Sequence, residues 1–188
     1  MTDDAQITAW AFAAGRGDRD AAGAFVQATQ RHVRRFLAAL ASPAEADDLA
    51  QETYLRAWRS LPSFAGRSSA RTWLLAIARR VAVDQVRTAA ARPRTVPMSG
   101  YHDAVDPERS GFDRQLALEH LIATLPDDRR EAFVATQLLG LSYTEAAEVC
   151  GCPVGTIRSR VARAREDLIA AMDIEGGGRR RRRGNAAG

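Results

Sequence analysis

Residues 140–165 read GLSYTEAAEVCGCPVGTIRSRVARAR. Ser142 and Glu145 stand at capping-box spacing, which opens a helix by satisfying its first free N–H groups. Gly140 sits where a preceding helix, roughly 129–139, needs a left-handed stop. Cys150-Gly151-Cys152-Pro153 makes a short turn, and a new periodic run starts at Val154. Helix, short glycine-containing turn, helix is the layout of a helix-turn-helix. In the second helix Val154, Ile157, Val161, Ala164, Leu168 and Ala171 recur at steps of three and four, forming one buried stripe. Thr156, Ser159 and Arg163 then point away from the stripe, and Arg158 and Arg160 lie on its flanks. Arg165 lies nearer the stripe and is expected to pack or pair. The plain alternative is a solvated arginine-rich face on a surface helix. The capped helix and glycine turn before it argue for the groove-reading layout.

The charge distribution supports local reading rather than bulk attraction. The chain has 188 residues, 27 basic against 23 acidic, for a net charge of +4, and every basic residue is arginine. Residues 1–92 carry 13 Arg and 9 acids, whereas residues 114–178 carry 7 Arg and 10 acids. Four of those seven Arg lie within 156–165, so the rest of that segment is strongly acidic. Five more form the run Arg179–Arg183. Arginine suits both phosphates and guanine edges through its planar fork.

The composition is 46% hydrophobic and only 6% aromatic, with abundant alanine, which favours an all-α fold with a real core. Residues 93–113 hold three prolines and two glycines with little periodicity and read as a flexible linker. The expected organisation is therefore two small helical domains, 1–92 and 114–175, joined by the linker 93–113. A disordered arginine-rich tail is expected over 176–188. No apolar run approaches the ~20 residues of a membrane span, and MTDDAQITAW is not a signal-peptide pattern, so a cytoplasmic location without membrane insertion is expected.

In the N-terminal half, residues 70–87 form a helix with Ala70, Trp73, Leu74, Ile77 and Val81 as its buried stripe and Arg79, Arg80 and Arg87 on other faces. Asp84 falls on the apolar side and is expected to find a partner such as an arginine. The preceding stretch, Leu61 to Ser69, offers a ring, small polar groups and Arg67, a set able to hold an unstacked base beside a strand backbone. Phe64 within it reads more readily as a core plug than as a base platform. A third helix opens at Ser42 with a capping box and Pro43. Ala46, Leu49, Ala50, Thr53 and Ala57 face its core side. Asp47, Asp48, Gln51, Leu55 and Trp58 lie opposite, and this mixture suggests either a protein-docking surface or a Trp58 packed within the bundle.

Taken together, the stretches Asp47–Trp58, Ser68–Arg79, Leu125–Phe133, Gly140–Ala147 and Gly155–Arg165 resemble bacterial RNA polymerase sigma factors of the extracytoplasmic-function type within the sigma-70 family. They occur in the family's order and spacing over most of residues 8–172, with an actinobacterial, sigma-C-like character. The resemblance implies a domain 2 that docks the clamp helices of the largest polymerase subunit through Asp47, Asp48, Gln51, Glu52, Leu55 and Arg56. It implies capture of an opened −10 strand by the loop 63–69, with Ser63, Phe64, Arg67, Ser68 and Ser69. Arg71, Arg79, Arg80 and Arg87 then serve as backbone or base contacts. It implies a domain 4 that reads a −35 duplex with Thr156, Arg158, Ser159, Arg160, Ala162 and Arg163. The implied partners are core RNA polymerase (including the flap of the second-largest subunit), promoter DNA and, as for many members, an anti-sigma factor. The implied place of action is the nucleoid.

No cofactor, metal or catalytic residue is expected. Cys150 and Cys152 lie in the turn of the helix-turn-helix and read as small packing groups. His32, His102 and His120 are too scattered to complete a four-ligand site. Without lysine there is no phosphate loop of the Gly-Lys type. A free-standing helix-turn-helix regulator would leave the acidic helix and the Arg71–Arg87 helix without a role. An enzyme carrying a DNA-binding appendage finds no site in residues 1–92.

Overall fold

The computed structural model describes the backbone of residues 3–91 and 110–184, and side chains within 3–88 and 117–172. All regular structure among these residues is helical. The N-terminal bundle consists of α1 (Asp4–Gly15), α2 (Arg19–Leu40), α3 (Ala46–Ser60), a short 3-10 turn (Leu61–Ser63) and α4 (Ala70–Ala91). The C-terminal bundle consists of α5 (Ser110–Ala123), α6 (Asp127–Phe133), a π-helical turn (Val134–Leu138), α7 (Tyr143–Cys150) and α8 (Val154–Gly184).

Helical periodicity explains the first bundle. Ala21, Phe25, Thr29, Val33, Phe36 and Leu37 bury one stripe of α2, and Ala46, Leu49, Ala50, Thr53 and Ala57 bury the core side of α3. Asp18 caps α2 by accepting from the Ala21 N–H at 3.0 Å. The buried threonine hydroxyls of α2 and α3 are satisfied: Thr53 donates to the Leu49 carbonyl at 2.7 Å, and Thr29 bonds the Phe25 carbonyl at 2.7 Å and the Tyr54 hydroxyl at 2.8 Å. Burial holds the Tyr54 phenol at a pKa of about 12. Helix α3 begins three residues later than its sequence signal suggests, with Glu45 rather than Ser42 at the cap. Ser42 and Glu45 do pair, but around a turn closed by the Glu45 N–H to the Ser42 carbonyl at 3.2 Å, and Glu45 also accepts from Gln85 of α4 at 2.9 Å.

The second bundle follows its caps. Ser142 and Glu145 form the reciprocal capping box, Gly140 has φ 70° and Gly151 caps α7 with φ 63°. The Cys152 N–H reaches back to the Ala147 carbonyl at 3.1 Å, closing the turn before α8. On α8, Ile157, Val161 and Ala164 are buried, as the stripe requires.

Two boundaries differ from expectation. Residues 93–109 of the expected linker lie outside the described residues, while 110–113 already belong to α5. The tail expected to be disordered from 176 is helical through Gly184. Extending an existing helix carries no nucleation cost, and arginine is a good helix former.

The loop between α3 and α4 is held by three rings. Phe64 lies between Phe12 and Trp73, with centroid separations of 5.1 and 5.0 Å. Gly66 has φ +65°, and a Cβ there would stand 2.7 Å from the Phe12 ring. Gly66→Ala is therefore expected to cost more than the about 1–2 kcal/mol of left-handed strain alone. Gly17, with φ +97° and open space around it, supplies the strain-only control. Thermal unfolding of the two variants measures the difference, and equal destabilisation would mean that the ring does not enforce the loop's path.

Candidate nucleic-acid interface

Helix α8 presents an open face. Arg158, Ser159, Ala162 and Arg163 are exposed, and Thr156 is half-buried beside them. Two further arginines of the helix, Arg160 and Arg165, are anchored. Arg160 pairs with Asp128 at 3.2 Å and contacts the Cys152 sulfur at 3.7 Å, while Arg165 donates to Gln137 at 2.8 Å. Arg129 of α6 pairs with Asp167 at 2.6 Å and braces the helix from behind. Arg158 and Arg163 make no ion pair with any other described residue. The arrangement is a rigid helix whose outward guanidinium groups are available for phosphates or base edges. Arg160, on the flank of the stripe, braces the helix in the free chain because Asp128 lies within its reach.

The second surface lies on the N-terminal bundle. An open cleft of about 630 Å3 separates α1, at Asp4, Thr8 and Phe12, from the loop at Gly66 to Ser69. Arg67 is exposed at its lip and Ser68 is half-buried. Ser69 caps α4, accepting from the Thr72 N–H at 3.1 Å, and Ser63 donates to the Ser60 carbonyl at 2.7 Å. Phe64 is not a free platform: its ring is packed between Phe12 and Trp73, so the core-plug reading of this residue holds. Thr8 anchors the cleft, accepting from the Ala70 N–H at 3.0 Å while donating to the Asp4 carbonyl at 2.8 Å.

The α4 arginines divide into two sets. Arg80 and Arg87 are exposed. Arg71 pairs with Asp4 at 2.9 Å and donates to the Leu139 carbonyl at 3.2 Å, and Arg79 pairs with Glu131 of α6. His32, beside Arg71, has its pKa lowered by burial and then by the neighbouring guanidinium, and its Nδ1 has no hydrogen-bond partner among the described residues.

A third surface is the outer side of α3. Asp48, Gln51 and Leu55 are exposed, Leu55 at 46%. Asp47 forms an exposed two-point pair with Arg34, at 2.6 and 3.0 Å. Arg56 bridges Glu52 and Asp84, each at 2.7 Å, and these hydrogen bonds, that of Asp84 first, raise its pKa. Asp84 thus has the arginine partner expected of it, on an exposed rather than an apolar face. Trp58 packs inward, edge-on to Phe25 with centroids 6.1 Å apart and stacked on Tyr54 at 6.4 Å. The docking and packing readings of that face are therefore divided between Leu55 and Trp58.

Cys150 is buried, and burial pushes its thiol pKa far up, with the Glu131 charge adding to the effect. Cys152 is half-buried. Among the described residues no three His, Cys, Asp or Glu side chains stand close enough together to hold a metal ion, and no helix is long and apolar enough to cross a membrane.

Comparison with known proteins covers both bundles. Residues 25–92 match the family model described as sigma-70 region 2, and residues 115–168 match sigma-70, region 4. The chain is 53% identical over 171 residues to the ECF RNA polymerase sigma factor SigC of Mycobacterium tuberculosis, covering 90% of this chain and 92% of the relative. The probable RNA polymerase sigma-C factor of Mycobacterium bovis matches to the same extent. In solved structures, CnrH in complex with the cytosolic domain of CnrY aligns with TM-score 0.70 and 25% identity over 92% of this chain and 99% of that one. The sigma factor RpoE of Bartonella quintana, solved with the anti-sigma factor NepR, aligns with TM-score 0.61 and 28% identity over 79% and 94%. The region 2 match thus covers α2 to α4, the region 4 match covers the helix-turn-helix, and the chain belongs to the extracytoplasmic-function sigma factors of the sigma-70 family, which bind core RNA polymerase and direct promoter-specific transcription initiation.

Proposed function

We propose that the three surfaces divide the work of initiation. The outward face of α8 reads the −35 duplex, with Arg163 and Ser159 at base edges and Arg158 on a flanking phosphate. The observation that carries this is the pair of exposed guanidinium groups, Arg158 and Arg163, left unpaired by the acidic residues around them. Thr156 and Ala162 border the same face. The loop 63–69 and the cleft behind it take the opened −10 strand, with Arg67, Arg80 and Arg87 along its backbone. Arg71 and Arg79 join them when their present partners are withdrawn.

The outer side of α3, around Asp48, Gln51 and Leu55, docks the clamp helices of the largest polymerase subunit, with Asp47, Glu52 and Arg56 holding its shape through their ion pairs. The C-terminal bundle, residues 110–172, meets the flap of the second-largest subunit, and the N-terminal bundle, residues 4–91, holds the −10 module. The chain supplies recognition and strand capture and leaves catalysis to the polymerase. Its place of action is the cytoplasm, on the nucleoid. The complexes formed by the structural relatives with NepR and with the CnrY cytosolic domain support an anti-sigma partner here as well.

Reconstitution with sigma-free core polymerase on a cognate promoter tests the whole reading: a promoter-directed transcript and co-purification are expected. Arg163→Ala should cost about 1–3 kcal/mol of −35 binding and relax preference at one base pair. Equal weakening on every sequence would reduce the residue to a phosphate contact. Asp48→Arg should weaken capture by core polymerase while leaving −35 duplex affinity unchanged, and an unchanged affinity for core would remove α3 from the docking surface.

A further inference from the structure

Residues 114–178 carry 7 Arg and 10 acids, a net charge of −3. A phosphate backbone repels such a segment on approach, even though two open guanidinium groups await it at contact. The run Arg179–Arg183 reverses the sign: residues 114–188 hold 12 Arg against the same 10 acids, a net charge of +2. These five charges belong to the element that carries the reading face, because α8 is continuous from Val154 to Gly184.

Position keeps the charges available. The neighbours of a residue along a helix are those three and four away. Arg179 has Glu175 at that spacing. Around Arg180, Arg181, Arg182 and Arg183 the corresponding positions are glycine, arginine, asparagine or alanine, so no carboxylate stands within one turn of them along α8. The arginines oppose one another instead. Positions 179 and 182, 180 and 183, and 179 and 183 are like-charge pairs, which disfavour the helix until an anion lies between them. Successive positions are about 100° apart, so five of them pass right round the helix and any side turned to a phosphate backbone carries charge.

At about 1.5 Å per residue the run lies roughly 24–30 Å beyond Arg163. That exceeds the ~12 Å width of a major groove, so it addresses backbone outside the base pairs faced by Ser159 and Arg163. Between the two stands Gly176-Gly177-Gly178. Glycine is the weakest helix former after proline, so this triplet is where α8 bends most readily. A straight rod leaving the groove needs such a bend to meet the curved backbone again. We propose that Arg179–Arg183 is a second, sequence-independent DNA contact, hinged at Gly176–Gly178, that grips duplex phosphates flanking the base pairs read by residues 156–163. The reading face sets the register, and the run sets affinity and its dependence on salt. The proposal rests on the reading of α8 as the duplex-reading helix.

The test uses the full chain and a labelled mixed-sequence duplex of about 40 base pairs, titrated by fluorescence anisotropy over a range of salt. Replacing all five residues, Arg179→Gln to Arg183→Gln, keeps length and helix propensity and removes the charge. The slope of log affinity against log salt is expected to fall by about 3–4.5, at roughly 0.9 per phosphate contact, and affinity at low salt by at least about tenfold. Thermal unfolding should be unchanged, which reports that both bundles stay folded. An unchanged slope would overturn the contact. Gly176→Ala, Gly177→Ala and Gly178→Ala together stiffen the helix with its charge intact and should lower affinity about three- to tenfold. Unchanged affinity in that variant would overturn the hinge. A larger loss on single-stranded RNA of the same length than on duplex would overturn duplex DNA as the partner. Arg158→Ala with Arg163→Ala, made in both the native and the five-glutamine chain, separates the proposal from the reading beneath it. A full loss from the glutamine variant beside none from the alanine pair would identify the reading face as the part that failed.

Discussion

A guanidinium within reach of a carboxylate pairs with it, and in a chain whose basic side chains are all arginine that rule decides which surfaces remain available. Arg34, Arg56, Arg71, Arg79, Arg129, Arg130 and Arg160 each have a carboxylate partner. Arg67, Arg80, Arg87, Arg158 and Arg163 are exposed without an ion pair to another described residue, as are Arg16, Arg19, Arg31 and Arg59. Most of the first set tie one helix to another, and only members of the second have a guanidinium free for an external anion. Exposed pairs contribute little stability, in the range of about 0–1 kcal/mol, so the division matters for what each surface can contact more than for the fold itself.

The fold rests instead on small residues at helical spacing. Ala11, Ala57, Ala70, Ala78, Ala132, Ala135, Ala146 and Ala164 are fully buried, and they let helices approach closely around a few large side chains such as Phe25, Phe36 and Leu74. Such a core tolerates a large share of polar surface and leaves the rims of both bundles free for recognition. Trp58 and Leu55 show the allocation on one helix. The ring completes the bundle against Phe25 and Tyr54, and the aliphatic chain stays outside, where a partner can bury it.

What could be read from sequence was local. The α8 stripe, the Ser142 capping box and the left-handed Gly140 and Gly151 depend on neighbours within about a turn, and each is where periodicity and capping chemistry place it. The capping signal at Ser42 was real, but periodicity could not tell an isolated turn from a first helical turn. The Asp84–Arg56 bridge answers the need for a partner, while its exposure has no sequence signal, because a single buried stripe on α4 places Asp84 on the apolar side. Buried residues in fact occupy a wider arc there, with Leu75, Ala78 and Ala82 joining Leu74 and Ile77, since the helix is covered by both bundles. The Phe12–Phe64–Trp73 ring stack and the Arg79–Glu131 pair join distant positions and left no periodic signature. A column of rings or an arginine meeting a glutamate 52 residues later is a property of the packing.

The same separation is visible on α6. Glu131 sits at the end of a short helix whose other residues serve its own bundle: Ala132 is buried in the core and Arg129 braces α8. The carboxylate therefore points at α4, where Arg79 receives it. Neither group is left as an unpaired buried charge. Binding through α3 to a large partner involves a broader surface and a separate set of residues. The outer side of α3 and the Glu131 contact with α4 thus use separate residues.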